Sequence, residues 1–214
     1  MRFALYAVAL QGVFCVISHV DGPATFVRTD QWLGRPFAHL RPELAAAALL
    51  RRYLAAYGPS TVQHFAEWAG VLPAQAARTW QELATELTSI KFGGKTSWVL
   101  AGDLPILQTG TLPRGVRLLP PHDPYLATRD RTLLVPDRRI HTQIWRTVGS
   151  PGVVLLDGEI VAVWRAQKLG AKLRIEVTDI TGLDCLQPAR TAIEEETACL
   201  IGLRGCQRAD IIYT

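Results

Sequence analysis

The chain has 214 residues, of which 49% are apolar, so it can bury a substantial core as one domain or as two small ones. Lys and Arg number 23 against 19 Asp and Glu, and the net charge of +4 permits a polyanionic partner without requiring one. The cysteines contain no C-x-x-C pair, which argues against a zinc site or a secreted disulfide framework. We therefore expect no metal, no cofactor and reduced cytoplasmic thiols at four positions: Cys15, Cys185, Cys199 and Cys206.

The chain opens on an apolar segment, residues 3–17. This segment is too short to span a membrane, and no small-residue cleavage pattern follows it, so neither a membrane anchor nor a signal peptide is expected. The segment is predicted to be a buried helix. Because no polar leader precedes it, we also expect the chain to start inside a domain.

Three helices are predicted between residues 42 and 87. Pro42 lies in the first turn of the first helix, whose apolar residues recur at helical spacing until Gly58. Ser60 and Gln63 have the S-x-x-Q spacing of a capping box at the start of the second helix. Pro73 opens the third helix.

The second and third helices are joined by a short turn containing Gly70, which is typical of a helix-turn-helix. The next segment, SIKFGGKTSWVL, alternates apolar and polar residues on both sides of Gly93-Gly94 and predicts a β-hairpin. Helices followed by a hairpin indicate a winged helix, to which we assign residues 41–109.

The remainder, residues 110–214, is predicted to be a β-rich lobe. Asp157-Gly158 separates two β-branched runs and predicts a second hairpin, and AKLRIEVTDI adds another strand. The segment from Pro188 to Gly205 has helical spacing and is predicted to close the chain as a terminal helix. The fold class is therefore α+β, a winged helix followed by a small antiparallel sheet with a terminal helix.

Basic residues concentrate near two predicted hairpin turns. Lys91 and Lys95 flank the Gly93-Gly94 turn, and the segment WRAQKLGAKLR contains four cations and no acid. Such clusters contact nucleic-acid phosphates without reading bases, although a solvated hairpin tip has the same composition. The candidate DNA-binding residues are Lys91, Lys95, Arg165, Lys168, Lys172 and Arg174.

The third helix is a weak candidate for reading a DNA sequence. Its outward positions are expected to include Arg78 and Thr79, but Glu82 and Glu86 offset the single cation. A transcription regulator therefore stays an alternative that this helix argues against. A winged helix that serves as a scaffold or as a protein contact fits this composition at least as well as one that reads DNA bases.

No stretch of the sequence carries an evident catalytic motif. His64 and Glu67 have H-x-x-E spacing without the second histidine that a metalloprotease helix needs. His122 and Asp123 are adjacent, so on an extended chain their side chains point to opposite faces. Asp123 precedes a proline, as turn-capping aspartates do, and we carry it only as a weak catalytic candidate.

Three segments resemble a known family: RYLAAYGPSTVQHFAEWAG, VRLLPPHDPYLATRDRTLLVPD and WRTVGSPGVVLLDGEIVAVWR. Together they look like the bacterial winged-helix family that includes the alkylpurine DNA glycosylases which unhook interstrand crosslinks. The most specific part is the LLPP-x-DPY element followed by the hairpin. The resemblance implies tandem winged helices around a DNA-binding channel, with double-stranded DNA as partner in the cytoplasm.

The glycosylases of that family resemble one another in a Gln-x-Gln or Gln-x-Asp motif that positions the hydrolytic water, and this sequence contains neither spacing. The resemblance also implies a longer N-terminal part, so residues 1–40 are expected to be the remnant of a preceding winged helix. We expect a DNA-binding chain that is catalytically incomplete. The alternative is an active glycosylase that excises alkylated bases. An N-terminal helix without its packing partner would favour self-association.

Overall fold

A computed structural model describes residues 2–19, 22–36, 40–127, 130–182 and 186–214, so Cys185 lies outside the described residues. The chain divides into two compact units, residues 1–48 and 49–214. The division falls within the helix Pro42–Tyr57. The three-part assignment with boundaries after residues 40 and 109 stays a prediction.

The first unit contains a short helix and a hairpin where one longer helix was expected. Gly12 adopts a left-handed conformation (φ 75°) just after the helix, and the following β-branched and aromatic residues favour a strand. None of the side chains described among residues 5–17 is buried, and Leu10 is 74% exposed, so the expected burial of this segment was wrong as well. The elements are α1 (Arg2–Leu10), β1 (Phe14–His19), β2 (Gly22–Arg28) and α2 (Thr29–Leu33).

The helices and the hairpin expected between residues 42 and 100 are present. Gly70 ends α4 in the left-handed conformation (φ 67°), and the Gly93-Gly94 turn joins two strands that pair from Leu87↔Leu100 to Phe92↔Lys95. A short helix follows the hairpin. The elements are α3 (Pro42–Tyr57), α4 (Val62–Ala69), α5 (Pro73–Glu82), β3 (Leu87–Phe92), β4 (Lys95–Leu100) and α6 (Leu104–Thr109).

The capping box predicted at Ser60 was wrong by one residue. Thr61 is the N-cap of α4, and its side chain accepts a hydrogen bond from the backbone N–H of His64 (3.2 Å). Ser60 is buried instead, with its hydroxyl 2.7 Å from that of Tyr53 and its backbone paired with Trp98. Ser60 therefore joins α3 to strand β4.

The rest of the second unit is built on a five-stranded sheet with strand order β5-β6-β7-β8-β9. Its first four strands are antiparallel, as expected, but β9 follows the last helix and pairs with β8 in parallel. The sheet is therefore mixed, and the helix is a crossover rather than terminal. The elements are β5 (Val116–Leu119), α7 (Arg131–Leu134), α8 (His141–Ile144), β6 (Gly152–Leu156), β7 (Glu159–Leu169), β8 (Lys172–Asp179), α9 (Leu186–Leu203) and β9 (Arg208–Tyr213).

The two faces of this sheet have different coverings. On one face, Leu173, Ile175 and Val177 are buried in a cluster that includes Ile193 of α9. On the other face, Val153, Ile160 and Val163 are buried with Leu126 and Ile144, which belong to the connection between β5 and β6. This connection does not cover the turn end of β7 and β8, where the side chains from Arg165 to Gly170 are exposed.

Among the described residues, no helix is both long enough and apolar enough to cross a bilayer.

Candidate nucleic-acid interface

The uncovered end of the β7–β8 hairpin carries most of the predicted DNA-binding residues. Gly170 (φ 62°) makes the turn, and Leu169↔Lys172 is the last pair of the ladder. The register also pairs Gln167 with Arg174 and Arg165 with Glu176. Paired residues of neighbouring strands share a face, and so do residues two apart on one strand. The side chains of Arg165, Gln167, Arg174 and Glu176 therefore project from the same side of the sheet.

Arg165 and Arg174 are the cations that this register brings together on the uncovered face. The guanidinium of Arg165 donates to the carbonyl of Gly149 (2.7 Å), and both arginines are exposed. They line an open groove of about 390 Å³ together with Ala166, Gln167 and Glu176. The segment from Trp164 to Arg174 contains no acid, but Glu176, the cross-strand partner of Arg165, lies within the cluster.

Lys172 is partly neutralised by a residue distant in sequence. It forms an ion pair with Asp210 of β9, and its side chain is 33% exposed. Asp210 is brought there by the parallel pairing of β8 with β9, in which Arg174 is its register partner. Lys172 is therefore less available to an external anion than Arg174.

Lys168 lies on the opposite side of the sheet from the two arginines. Its register partner is Leu173, whose side chain is buried on the face that α9 covers. The Lys168 ammonium donates to the carbonyls of Arg204 (2.9 Å) and Gly205 (3.3 Å), just after α9 ends. A cation at this position stabilises the negative end of the helix dipole. The structure thus separates Lys168 from the other three cations of its segment.

The two lysines of the β3–β4 hairpin also differ in their surroundings. Lys91 donates to the hydroxyl of Thr96, its cross-strand partner (2.8 Å). Lys95 forms an ion pair with Asp130 (3.0 Å), whose side chain is only 12% exposed. A hydrogen bond from the Thr132 hydroxyl, and then the Lys95 ammonium, hold the pKa of Asp130 below its ordinary value. Lys95 therefore ties the hairpin to the connection before β6.

Helix α5 offers few contacts for reading DNA bases. Thr79, which was expected to point outward, is buried, and its hydroxyl donates to the carbonyl of Gln75 (3.3 Å). The Gln75 side chain accepts from the backbone N–H of Leu72 and so caps the helix. Arg78 is exposed, and Glu86 is paired with Arg51 of α3 (2.6 Å).

Asp123 has the contacts of a turn residue. Its carboxylate accepts from the backbone N–H of Tyr125 (2.9 Å), and its carbonyl accepts from Leu126 N–H (2.9 Å). The preceding residue, His122, is exposed and has a left-handed backbone (φ 64°). These contacts favour a structural role for Asp123 in bracing the connection after β5.

A cavity of about 560 Å³ lies between α3, α4, the end of β3 and this connection. Its lining includes the aromatic residues Tyr57, Phe92 and Tyr125, with Asp130 and His64 among its polar members. Burial raises the pKa of Tyr125. Across the parts of the chain that the structure describes, no group of three or more His, Cys, Asp or Glu side chains could hold a metal ion.

Sequence reasoning missed two contributors to the charged face. Gly149, which accepts from Arg165, belongs to the loop before β6, and Asp210 belongs to a strand that was not predicted. The β-branched and aromatic residues of the segment IIY, with Ile211 packed against the sheet core, were a signal for this strand. No local signal in the sequence indicates which strand β9 joins.

The fold and this face define an α+β protein with a cationic hairpin, and comparison with known proteins gives its family. A family model described as DNA glycosylase AlkZ-like matches residues 2–201. The chain belongs to this AlkZ-like DNA glycosylase family, which confirms the resemblance seen in its sequence.

Two similar proteins come from Streptomyces sahachiroi. An interstrand DNA cross-link repair glycosylase is 31% identical over 169 residues, which cover 75% of this chain and 45% of that protein. The solved structure of the DNA glycosylase AlkZ has a TM-score of 0.82 at 24% identity, and the match covers 98% of this chain and 57% of that one. The chain therefore spans about half the length of these relatives and has the same fold as the matched part.

Proposed function

We propose that this chain is a DNA-binding protein of the glycosylase-like family that holds duplex DNA chiefly through phosphate contacts. The observation that carries the proposal is the exposed pair Arg165 and Arg174 on one face of the β7–β8 hairpin. In this proposal residues 41–109 are a winged helix, residues 1–40 belong to a preceding one, and the protein acts in the cytoplasm. Membership of this family and the DNA cross-link repair activity of the relative support DNA as the partner.

Phosphate contact fits this surface better than base reading does. Guanidinium groups bind phosphates in bidentate fashion, and both arginines lie on a protruding hairpin that reaches beyond the covered part of the sheet. Lys91 at the other hairpin is a further candidate. Lys95, Lys168 and Lys172 are already engaged by Asp130, by the carbonyls of Arg204 and Gly205, and by Asp210. Arg165 donates to the Gly149 carbonyl, but its guanidinium has further N–H donors for a phosphate, so we rank the three lysines below the arginines as DNA ligands.

The salt dependence of duplex binding tests this proposal. Each phosphate contact contributes about −0.9 to the slope of log affinity against log salt concentration. Arg165→Ala with Arg174→Ala is expected to weaken binding and to reduce the slope by about 2. Arg51→Ala, at a surface arginine paired with Glu86, is the matched control and should leave the slope unchanged. Binding that is insensitive to salt and to the double substitution contradicts the proposal.

We further propose that the chain does not hydrolyse the glycosidic bond by itself. Hydrolysis requires a water aligned on the anomeric carbon and groups that stabilise the developing charge. The family motif expected to place that water, Gln-x-Gln or Gln-x-Asp, is not present in the sequence. The contacts of Asp123 are those of a turn brace, so it offers no replacement.

The alternative, an active glycosylase excising alkylated bases, is favoured by the family membership. Incubation of the purified chain with alkylated duplex DNA separates the two interpretations. Released alkylated base that scales with protein concentration would establish the enzyme. Retained duplex binding without base release supports the catalytically incomplete protein.

A further inference from the structure

The loop of residues 146–150 before β6 presents an aliphatic side chain next to the cationic face. Val148 is 86% exposed, more than any other exposed large hydrophobic side chain among the residues the structure describes. It lies at the tip of the loop, between Arg146 and Gly149. A side chain this exposed contributes no packing to the core, so its apolar surface is removed from water only by contact with another molecule.

The loop is held in one conformation by its own hydrogen bonds. The Ser150 hydroxyl accepts from the backbone N–H of Arg146 (3.1 Å) and donates to the Arg146 carbonyl (3.1 Å). Gly149 takes the left-handed conformation (φ 65°) that the turn requires. The loop therefore closes on itself, and Val148 is presented by a defined turn.

Both ends of the loop are anchored in the core of the second unit. On the N-terminal side, Ile144 is buried and the indole N–H of Trp145 donates to the carbonyl of Leu126 (3.0 Å). On the C-terminal side, Pro151 is fully buried and Gly152 begins β6. Because both anchors are buried, the ends of the loop have fixed positions next to the sheet.

Cations lie beside the protruding side chain. The Arg165 guanidinium donates to Gly149, the residue after Val148, and Arg146 is exposed two residues before it. Arg174 lies on the same face as Arg165 and lines the same groove. Phosphates bound by these guanidinium groups would bring the base stack of a duplex up to the loop tip.

We propose that Val148 is a wedge that inserts between stacked base pairs while the flanking arginines hold the phosphates. This inference rests on the proposed DNA binding and deepens it by assigning a duplex-distorting contact. Proteins that kink DNA use aliphatic wedges flanked by cations in this way, and the cost of unstacking a step is offset by the additional contacts. A bent or locally unstacked duplex is then the preferred form of the ligand.

The experiment uses the full chain and a short duplex with 2-aminopurine opposite thymine, whose fluorescence rises when the base unstacks. Fluorescence anisotropy of an end label on the same duplex measures binding separately. The unsubstituted chain is expected to give a severalfold rise at saturation, because the wedge opens the stack. Val148→Ala should lose most of that rise with only a few-fold change in affinity, because the arginines are retained. Val148→Leu, which retains an aliphatic side chain, should retain the fluorescence rise.

Leu112→Ala is the matched control, since Leu112 is 82% exposed in the linker after α6. It should leave both signals unchanged. Salt-dependent binding with no rise, or a full rise with Val148→Ala, overturns the wedge and leaves the proposed DNA binding intact. An absence of salt-dependent binding by the unsubstituted chain overturns the proposed function, and the wedge with it.

Discussion

Gly152 is the residue of the sheet that leaves least room for a side chain. A Cβ there would lie 2.4 Å from the indole nitrogen of Trp164 and 2.5 Å from the carbonyl oxygen of Leu119. These two groups are hydrogen bonded to each other at 2.9 Å across β6. The glycine therefore permits a buried tryptophan to satisfy its only donor.

Gly152→Ala is expected to lower the free energy of unfolding by about 2 kcal/mol or more, because the methyl group displaces the indole from its partner. Gly102→Ala is the control, since a Cβ at Gly102 meets no atom within 4 Å. Chemical denaturation of both variants provides the measurement. Equal stability of the two variants would show that Trp164 moves without cost.

Asp130 is the residue that should make stability depend on acid pH. Its folded-state pKa lies below the ordinary 3.8, through Thr132 first and Lys95 second. A lowered carboxyl pKa contributes stability that is present above the unfolded value and is lost as the pH falls through the folded value. The contribution is small because Lys95 is largely exposed.

Asp130→Asn is expected to cost about 1 kcal/mol at neutral pH and to remove part of the stability loss below pH 3.8. Unfolding curves at neutral and acid pH would measure both effects. Lys91→Met is the control. Lys91 lies on the same β3–β4 hairpin as Lys95, but its ammonium donates to a neutral hydroxyl, that of Thr96. An equal change in the acid profile for both variants would contradict the assignment to Asp130.

Among the elements, the β7–β8 hairpin and helix α9 depend on each other through Lys168. The ammonium donates to the carbonyls of the two residues that follow the helix, Arg204 and Gly205, at its negative end. Charge at this position stabilises the helix, whereas the exposed Arg174 on the other side of the same hairpin is available to a ligand. One hairpin therefore carries both a structural and a binding cation.

Lys168→Ala is expected to destabilise the chain by about 1 kcal/mol while changing the salt slope of DNA binding little. Arg174→Ala should do the reverse, leaving the melting temperature unchanged and weakening binding. The melting temperature of each variant is measured by thermal unfolding, and its affinity for duplex DNA is measured by titration at several salt concentrations. If both substitutions affect the same property equally, the division of roles is wrong.

At the scale of the whole molecule, the first unit exposes several large apolar side chains. Val16 and Phe26 are cross-strand partners, each 56% exposed, and Trp32 is 60% exposed. An isolated two-stranded hairpin is marginally stable in water without further packing. We therefore expect self-association through the β1–β2 hairpin and α2 rather than through α1.

The chain is expected to sediment as concentration-dependent oligomers, because contact between copies buries these side chains. Phe26→Ser with Trp32→Ser should shift the distribution toward monomer. Leu203→Ser, at an 81% exposed position after the core part of α9, is the control and should not. A single monomeric species of the unsubstituted chain at all concentrations would contradict self-association.

Much of the fold could be predicted because its signals are local. Pro42, Pro73 and Gly70 set helix ends, and the Gly93-Gly94 and Asp157-Gly158 turns set hairpins, through the backbone conformations that these residues favour. Where a competing local preference existed the prediction failed, as in residues 3–17, which the sequence pattern alone could not divide into a helix and a strand.

The α+β class, the α4–α5 pair, the β3–β4 and β6–β7 hairpins and the family could all be predicted from the sequence, because propensities, turns and motifs act over short distances. Which cations are available to a ligand depends on contacts that form only in the tertiary structure. Asp210, Gly205 and Asp130 lie far along the chain from Lys172, Lys168 and Lys95, and the fold brings each pair together. Charge availability depends on such non-local contacts, which composition and spacing do not encode.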